Sequence, residues 1–450
     1  MNRYLSTLIL LAMLTGMEIE AQTLKPSPRL VVNIAIDQLR TDYMEQFAPL
    51  YTTDGFQKLL SQGAVYEAAH YPFAPVDRAS AIAAIATGAS PEYNNIVANQ
   101  WLDRATLRPV VCVDDEKYGV SPQKLSTSTI GDELKVATGG AAIVCSVALE
   151  KDAAVLSAGH AADGAFWISD RNKRWTTSNY YSSLAQSLIR AYNSNNSYGV
   201  GNDAVYDLSV ACVNNLSMGN DDVPDLLNVT FSANIDKNVR SQSDAAVLYV
   251  KLDHLLADLV KTIETRVGSD RVLFVLTSTG YTDDTTVDYE RYHIPTGTFY
   301  INRTANLLNM YLGAIYGQGR YVETCFGNQI YLNRKFIEQR CLSYSDVIVR
   351  SKELLVQTAG VRGVSTSPYN PSVSGDLVIE VAPGWQLLNE ENQQQFTSRA
   401  AFVPFPIIIY GADVKPQRIP TAVTVDRIAP TIAKAIRIRA PNACSVAPLQ

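Results

Sequence analysis

The sequence predicts an α/β fold: a mostly parallel central sheet flanked by helices, with a small α+β insertion. Two observations carry this prediction. Apolar runs of strand length alternate with helical patterns along most of the chain, and a stretch in the last third breaks that rhythm. Residues 31–36 (Val-Val-Asn-Ile-Ala-Ile) are the first strand-like run and deliver Asp37 at its carboxyl end, where open α/β sheets bind ligands. A helix follows around residues 56–60 and is stopped by Gly63, which can take the left-handed cap conformation. Residues 141–147 and 227–231 read as further strands. A long helix begins after Asp244, with Leu248, Leu252, Leu255, Leu256, Leu259 and Ile263 on one face, and ends at Gly268. Residues 271–277 and 406–411 are the next buried strands, and residues 426–438 a closing helix. Residues 167–223, rich in Asn, Ser and Tyr, read as surface loops with one helix at 182–192. Residues 303–367 read as helix, hairpin and helix, the hairpin turning at Phe326-Gly327, and form the expected insertion.

Composition narrows the function classes. With 47% hydrophobic and 18% charged residues, the chain has ordinary globular material for one large domain with an insertion. A net charge of −6 leaves no basic footprint for nucleic acid. Residues 1–21 have the layout of a secretory signal peptide: a basic start, an apolar stretch from Leu5 to Met17, and small Ala21 before Gln22. The remainder, 22–450, is the expected mature domain. No later apolar run approaches the roughly 18 residues of a spanning helix, so the protein is expected to be exported, to the periplasm or beyond, with no transmembrane segment. The six cysteines include no C-x-x-C pair, which removes a zinc knuckle, and buried free thiols are expected.

Nine short strings in order then resemble one family. They are residues 37–43 (DQLRTDY), 55–64 (GFQKLLSQGA), 87–88 with 95–103 (NIVANQWLD), 158–160 with 165–167, 374–378 (SGDLV) with Pro383-Gly384-Trp385, and 426–432 (DRIAPTI). Together they resemble the alkaline phosphatase superfamily, nearest the periplasmic phosphate-monoesterase branch related to type I phosphodiesterases and nucleotide pyrophosphatases. The resemblance implies two zinc ions bound by aspartates and histidines at strand ends. It also implies a threonine or serine nucleophile at a helix N-terminus, and polar or basic groups on the remaining phosphate oxygens.

Several of these positions carry other residues here. Counting back from Thr87-Gly88, the nucleophile position falls on Arg78, which stays protonated and cannot attack phosphorus. Ser80, two residues on, would need a register slip, and Asp77 is expected to cap the helix. Asp37 matches a metal ligand. The next ligand positions fall on Ile235 and Val239, with Asp236 one residue away, and Leu276-Thr277-Ser278-Thr279-Gly280 holds neither aspartate nor histidine where the resemblance implies both. No histidine follows His293, so the last implied ligand is missing. The implied phosphate-binding Lys-x-Arg pair falls on Glu150 and Asp152, while Asn99 matches a phosphate-contacting asparagine. A unit charge roughly 4 Å away is worth about 4 kcal/mol at an effective dielectric of about 20, so reversing two such charges repels a phosphate. Among the histidines, His160 reads as a structural hydrogen-bond partner and His254 as solvated; Asp283, Asp284, Asp288 and Glu290 read as an exposed acidic loop.

The reading that follows is an exported pseudoenzyme, acting by binding or scaffolding in the cell envelope with a protein or ligand partner of unknown identity. No cofactor is expected, although the family uses two zinc ions. Arg78 facing Glu150 and Asp152 is expected to form a charge network in place of metals and phosphate. The alternative is a metal-dependent phosphoric-ester hydrolase built on Asp37 with Asp236 or Ser278, and on Ser80 or Thr277 as nucleophile. Glycan binding by the aromatic-rich residues 167–192 has no motif behind it.

Overall fold

A computed structural model of the chain describes residues 26–195, 201–233, 242–282, 289–366, 372–391, 394–396 and 404–450. The expected signal peptide, Asp283, Asp284 and Asp288 lie outside the described residues. The main elements are β1 (Leu30–Asp37), α1 (Phe56–Gln62), β2 (Ala64–His70), α2 (Arg78–Thr87), α3 (Ile130–Ala137), β3 (Val144–Ala148), α4 (Lys151–Ala158) and β4 (Gly164–Ile168). They continue with α5 (Ser183–Asn195), α6 (Asn202–Asn215), β5 (Asp225–Ser232), α7 (Gln242–Val267), β6 (Val272–Ser278), α8 (Ile301–Tyr316), α9 (Tyr344–Leu355), β7 (Phe405–Gly411) and α10 (Ile428–Ile436).

The large sheet runs β2-β7-β6-β1-β5-β3-β4, with short strands at both edges. The five strands from β6 to β4 are mutually parallel, and β7 is antiparallel to both β6 and β2. This is the mixed, mostly parallel sheet the sequence predicts. Every residue of β1 is buried, which is why its run is apolar on both faces up to Asp37. Helices α2 and α4 pack together over one face, and α6 and α7 over the other. In the middle of the sheet, Asn33 Nδ2 donates to Asn228 Oδ1 (3.0 Å) and Asn228 Nδ2 to the Ser157 carbonyl (3.0 Å), so a polar pair ties two strands to α4.

An apolar cluster separate from the core around the large sheet lies in the last third of the chain. It gathers Phe299, Leu308 and Leu312 with Ile330, Leu332, Val347, Leu355, Leu377 and Leu387. Helices α8 and α9 pack on a four-stranded antiparallel sheet there, whose hairpin Val322–Phe326 and Gln329–Leu332 turns at Gly327.

Three local readings need correction. Helix α6 falls in a region read as loops; its buried Ala204, Val205, Leu208, Cys212 and Val213 have helical spacing that the surrounding Asn and Ser conceal. Gly63 is extended (φ −95°) rather than left-handed, and its glycine is required because a Cβ would lie 2.6 Å from the Leu59 carbonyl and 2.8 Å from that of Ile409. All six cysteines are free, but only Cys112, Cys145 and Cys212 are buried; Cys341 is exposed. Among the described residues, no helix is long and apolar enough to cross a membrane.

Two carboxylates brace this architecture. Helix α1 has Gly55 at its N-cap and no capping side chain of its own. The fully buried Asp253 of α7 supplies one, accepting from Phe56 N, Thr52 N and Thr52 Oγ1, each at 2.7 Å. Asp132 completes a capping box with Thr129 on α3 and accepts from Ala161 N (2.7 Å). It also meets His160 Nδ1 at 3.0 Å, while His160 Nε2 faces the Leu125 carbonyl at 3.0 Å. Both ring nitrogens face acceptors, so the imidazolium, which donates from both, is the form that fits. His160 is accordingly a structural hydrogen-bond partner, and His254 is exposed.

Asp253→Ala strands three donors, one buried and two partly buried, and is expected to cost about 3 kcal/mol in urea unfolding, with unchanged far-UV dichroism below the transition. The hydrogen bond to Asp132 raises the His160 pKa above its usual 6.5 despite partial burial. Its contribution is therefore fully present below pH 6.5 and lost as pH rises through the folded-state value. The difference in Tm between the wild type and His160→Gln should shrink from pH 6 toward pH 9. A constant difference across that range would refute the assignment.

Candidate functional site

The carboxyl ends of the parallel strands gather several of the sequence-flagged residues among the described residues. β1 ends in Asp37, which is only 3% exposed, and neighbouring β6 runs on into Thr279 and Tyr281. Asp37 Oδ1 accepts from Thr279 Oγ1 and from the Tyr281 hydroxyl, both at 2.9 Å. Thr279 Oγ1 in turn accepts from Gln38 N (2.9 Å), which fixes the turn leaving the strand. Burial raises the Asp37 pKa, and the nearby Arg78 guanidinium opposes that rise.

Helix α2 starts beside this point. Asp77 is its N-cap: Oδ1 accepts from Ser80 N (2.9 Å), and Asp77 N donates to Ser80 Oγ (3.0 Å). Asp77 Oδ2 accepts from Asn99 N (2.6 Å), tying the Asn99 loop to the helix start. Arg78 is the first residue of α2, and its guanidinium projects among three carboxylates. Nε lies 3.1 Å from Asp152 Oδ2, Nη1 3.4 Å from Asp37 Oδ2, and Nη2 3.7 Å from Glu150 Oε2. Asn99 Nδ2 donates to Asp152 Oδ2 (2.9 Å). Glu150 is the N-cap residue of α4, and Asp152 stands in that helix's first turn. Burial also raises the Glu150 pKa, with Arg78 again opposing. The Arg78 pKa rises: burial alone would lower it, but Asp152 and then Asp37 outweigh that penalty. A cavity of about 40 Å³ opens among Asp37, Arg78, Glu150, Thr230 and Ser232, with room for ordered water.

The structure thus brings Asp37, Arg78, Asn99, Glu150 and Asp152 into one network. Ile235, Val239 and Asp236 lie outside the described residues. The alternative nucleophiles are engaged elsewhere: Ser80 Oγ is held by Asp77, and Thr277 Oγ1 donates to the Pro406 carbonyl (3.3 Å). Ser278 Oγ donates to the Leu39 carbonyl (3.1 Å). Sequence reasoning missed Thr279 and Tyr281 as partners of Asp37. The only signal was two hydroxyl residues flanking Gly280 at the end of β6, a pattern common in ordinary turns.

A model of type I phosphodiesterase / nucleotide pyrophosphatase matches residues 31–402. Alkaline phosphatase PafA of Elizabethkingia meningoseptica is 22% identical, the alignment covering 93% of each chain. Alkaline phosphatase PhoV of Synechococcus elongatus is 23% identical over 92% of this chain and 91% of its own. A protein named as a calcium-transporting ATPase, from Myroides odoratus, is 24% identical over 94% of both. Among solved structures, wild-type alkaline phosphatase PafA superposes with a TM-score of 0.81 at 22% identity, covering 94% of this chain and 98% of that one. Murine ectonucleotide pyrophosphatase/phosphodiesterase 5 reaches 0.56 at 12%, covering 92% and 96%. Those two likenesses establish the fold as alkaline phosphatase-like.

The family match corrects one expectation. An absence of any cofactor is not the starting point for this chain, because the family is one of metal-dependent phosphoric-ester hydrolases. The described donors beside Asp37 nevertheless fit a pair of zinc ions poorly. They are hydroxyl oxygens and carboxylates with a guanidinium among them, and zinc sites of this kind draw on imidazole. Among the described residues, no three His, Cys, Asp or Glu side chains stand close enough to share an ion.

Removing one member of a buried ion network strands its partners, which costs more than the intact network contributes. Arg78→Met should therefore destabilise the protein by about 3 kcal/mol in urea unfolding, and Arg78→Lys by less. Equal stability of Arg78→Met and wild type would show the network to be energetically idle.

Proposed function

This chain belongs to the type I phosphodiesterase / nucleotide pyrophosphatase family, and we propose that it is an exported member working by binding or scaffolding in the cell envelope rather than by hydrolysis. One observation carries this reading: the first residue of α2 is an arginine paired with Asp152, Asp37 and Glu150. A guanidinium cannot attack phosphorus, and it lies within 3.4 Å of the carboxylate that the family resemblance assigns to metal. Glu150 and Asp152 add negative charge to a cleft that must attract a phosphate dianion if it is to turn one over. The domain reading belongs to this proposal: a signal peptide at 1–21, one phosphatase-like domain over 22–450, and an α+β insertion at 303–367.

The relatives favour the other reading, a metal-dependent phosphoric-ester hydrolase with an altered site. Those named as alkaline phosphatases align over more than nine-tenths of both chains, and on comparison alone this reading has the stronger support. It requires Asp37 to hold a metal and a hydroxyl outside the Ser80 and Thr277 bonds to serve as nucleophile.

One assay separates the two. Protein purified with zinc supplied is offered p-nitrophenyl phosphate and bis(p-nitrophenyl) phosphate. The binding reading expects turnover no greater than that of Asp37→Ala. Turnover that Asp37→Ala abolishes, with stoichiometric zinc in the active sample, establishes the hydrolase.

A further inference from the structure

We propose that a cavity between the short helix Arg334–Gln339 and α9 is a binding site for a small organic carboxylate with an apolar body. The cavity measures about 540 Å³, within the roughly 300–1,000 Å³ of sites that hold small molecules. It shares no lining residue with the cleft around Asp37. Its walls are largely apolar: Ile337 and Ile348 belong to the smaller apolar cluster, and half-buried Leu342 comes from the turn between the two helices.

The charges at one end select the ligand. Asp376, whose side chain is fully buried, accepts from Leu332 N (2.6 Å), from Arg334 Nε (2.7 Å) and from the Tyr344 hydroxyl, and it pairs with Arg104 Nη2 at 3.1 Å. Arg334 and Tyr344 are the first residues of their helices, so one carboxylate joins both helix starts. Arg104 also donates from Nε to the Ser374 carbonyl (3.0 Å), whereas Arg334 lines the cavity and keeps 39% exposure. Among the described residues, one buried carboxylate thus answers two guanidiniums, and this end of the cavity is positive. Glu338 lines the cavity too, but it is exposed, where water and salt screen its charge. A single uncancelled charge matches a monoanion rather than a phosphate dianion, and a planar guanidinium fits a carboxylate in its own plane. The isoleucines and Leu342 offer the rest of such a molecule a surface away from water.

This inference goes beyond the role assigned to the Asp37 cleft and does not depend on it; phosphoester turnover, present or absent, does not bear on it. The test is calorimetric titration of the full chain with 2-naphthoate, with neutral 2-naphthol and cationic 2-naphthylmethylammonium as comparators. The wild type should bind one naphthoate per chain, about 10-fold more tightly than naphthol, the worth of one charge-assisted hydrogen bond, and the ammonium more weakly than either. Arg334→Gln should erase the preference for naphthoate over naphthol, and Arg334→Lys should keep part of it. Thr366→Trp, placed at an exposed residue of the cavity wall, should weaken naphthoate and naphthol alike, and it stands in if Arg334→Gln does not fold. Equal binding of naphthoate and naphthol by the wild type, a preference that survives Arg334→Gln, or affinity untouched by Thr366→Trp would overturn the proposal. So would the absence of saturable naphthoate binding.

Discussion

Asp37 is a nearly dry carboxylate at the tip of the central strand, and the arrangement around it follows from the need to satisfy it. A parallel strand buried on both faces offers its last side chain little water, here no more than a cavity of about 40 Å³. Two hydroxyls from the loop after β6 take one oxygen, and a guanidinium from α2 approaches the other. Helix α2 itself begins where Asp77 and Ser80 form its capping box. The guanidinium also pairs with buried Asp152 and, from its outer side, with Glu150, and Asn99 is tied both to Asp152 and, through its backbone, to the cap of α2. Two helices, two strand ends and a loop are thereby fixed by one charge.

The network is short of positive charge. Three carboxylates surround one arginine, and two of them, Asp37 and Glu150, have raised pKa values because burial outweighs their share of it. Ion clusters held partly out of water are expensive relative to a packed apolar core.

Much of the fold was legible because periodicity and punctuation agree with tertiary structure. The strand ending in Asp37, the long helix α7 and the closing helix α10 all announced themselves by apolar spacing. Helix α6 did not, because its buried face is carried by small residues among asparagines. In the cleft, motif order located Arg78, Asn99, Glu150 and Asp152 at corresponding positions, and the structure adds the distances that join them. Thr279 and Tyr281 were invisible for a physical reason: a hydroxyl's role depends on which acceptor the fold brings to it, and neither spacing nor composition encodes an acceptor some 240 residues away. The cofactor reading went astray differently, by taking replaced ligands in one chain as sufficient against the chemistry of a whole family.

The cap on α1 has a consequence for how the chain acquires its shape. Its donor and acceptor are 197 residues apart, joining Phe56 to Asp253. Its side-chain cap can close only once α7 has been made and docked, so the start of α1 depends on a long-range contact rather than on its own sequence.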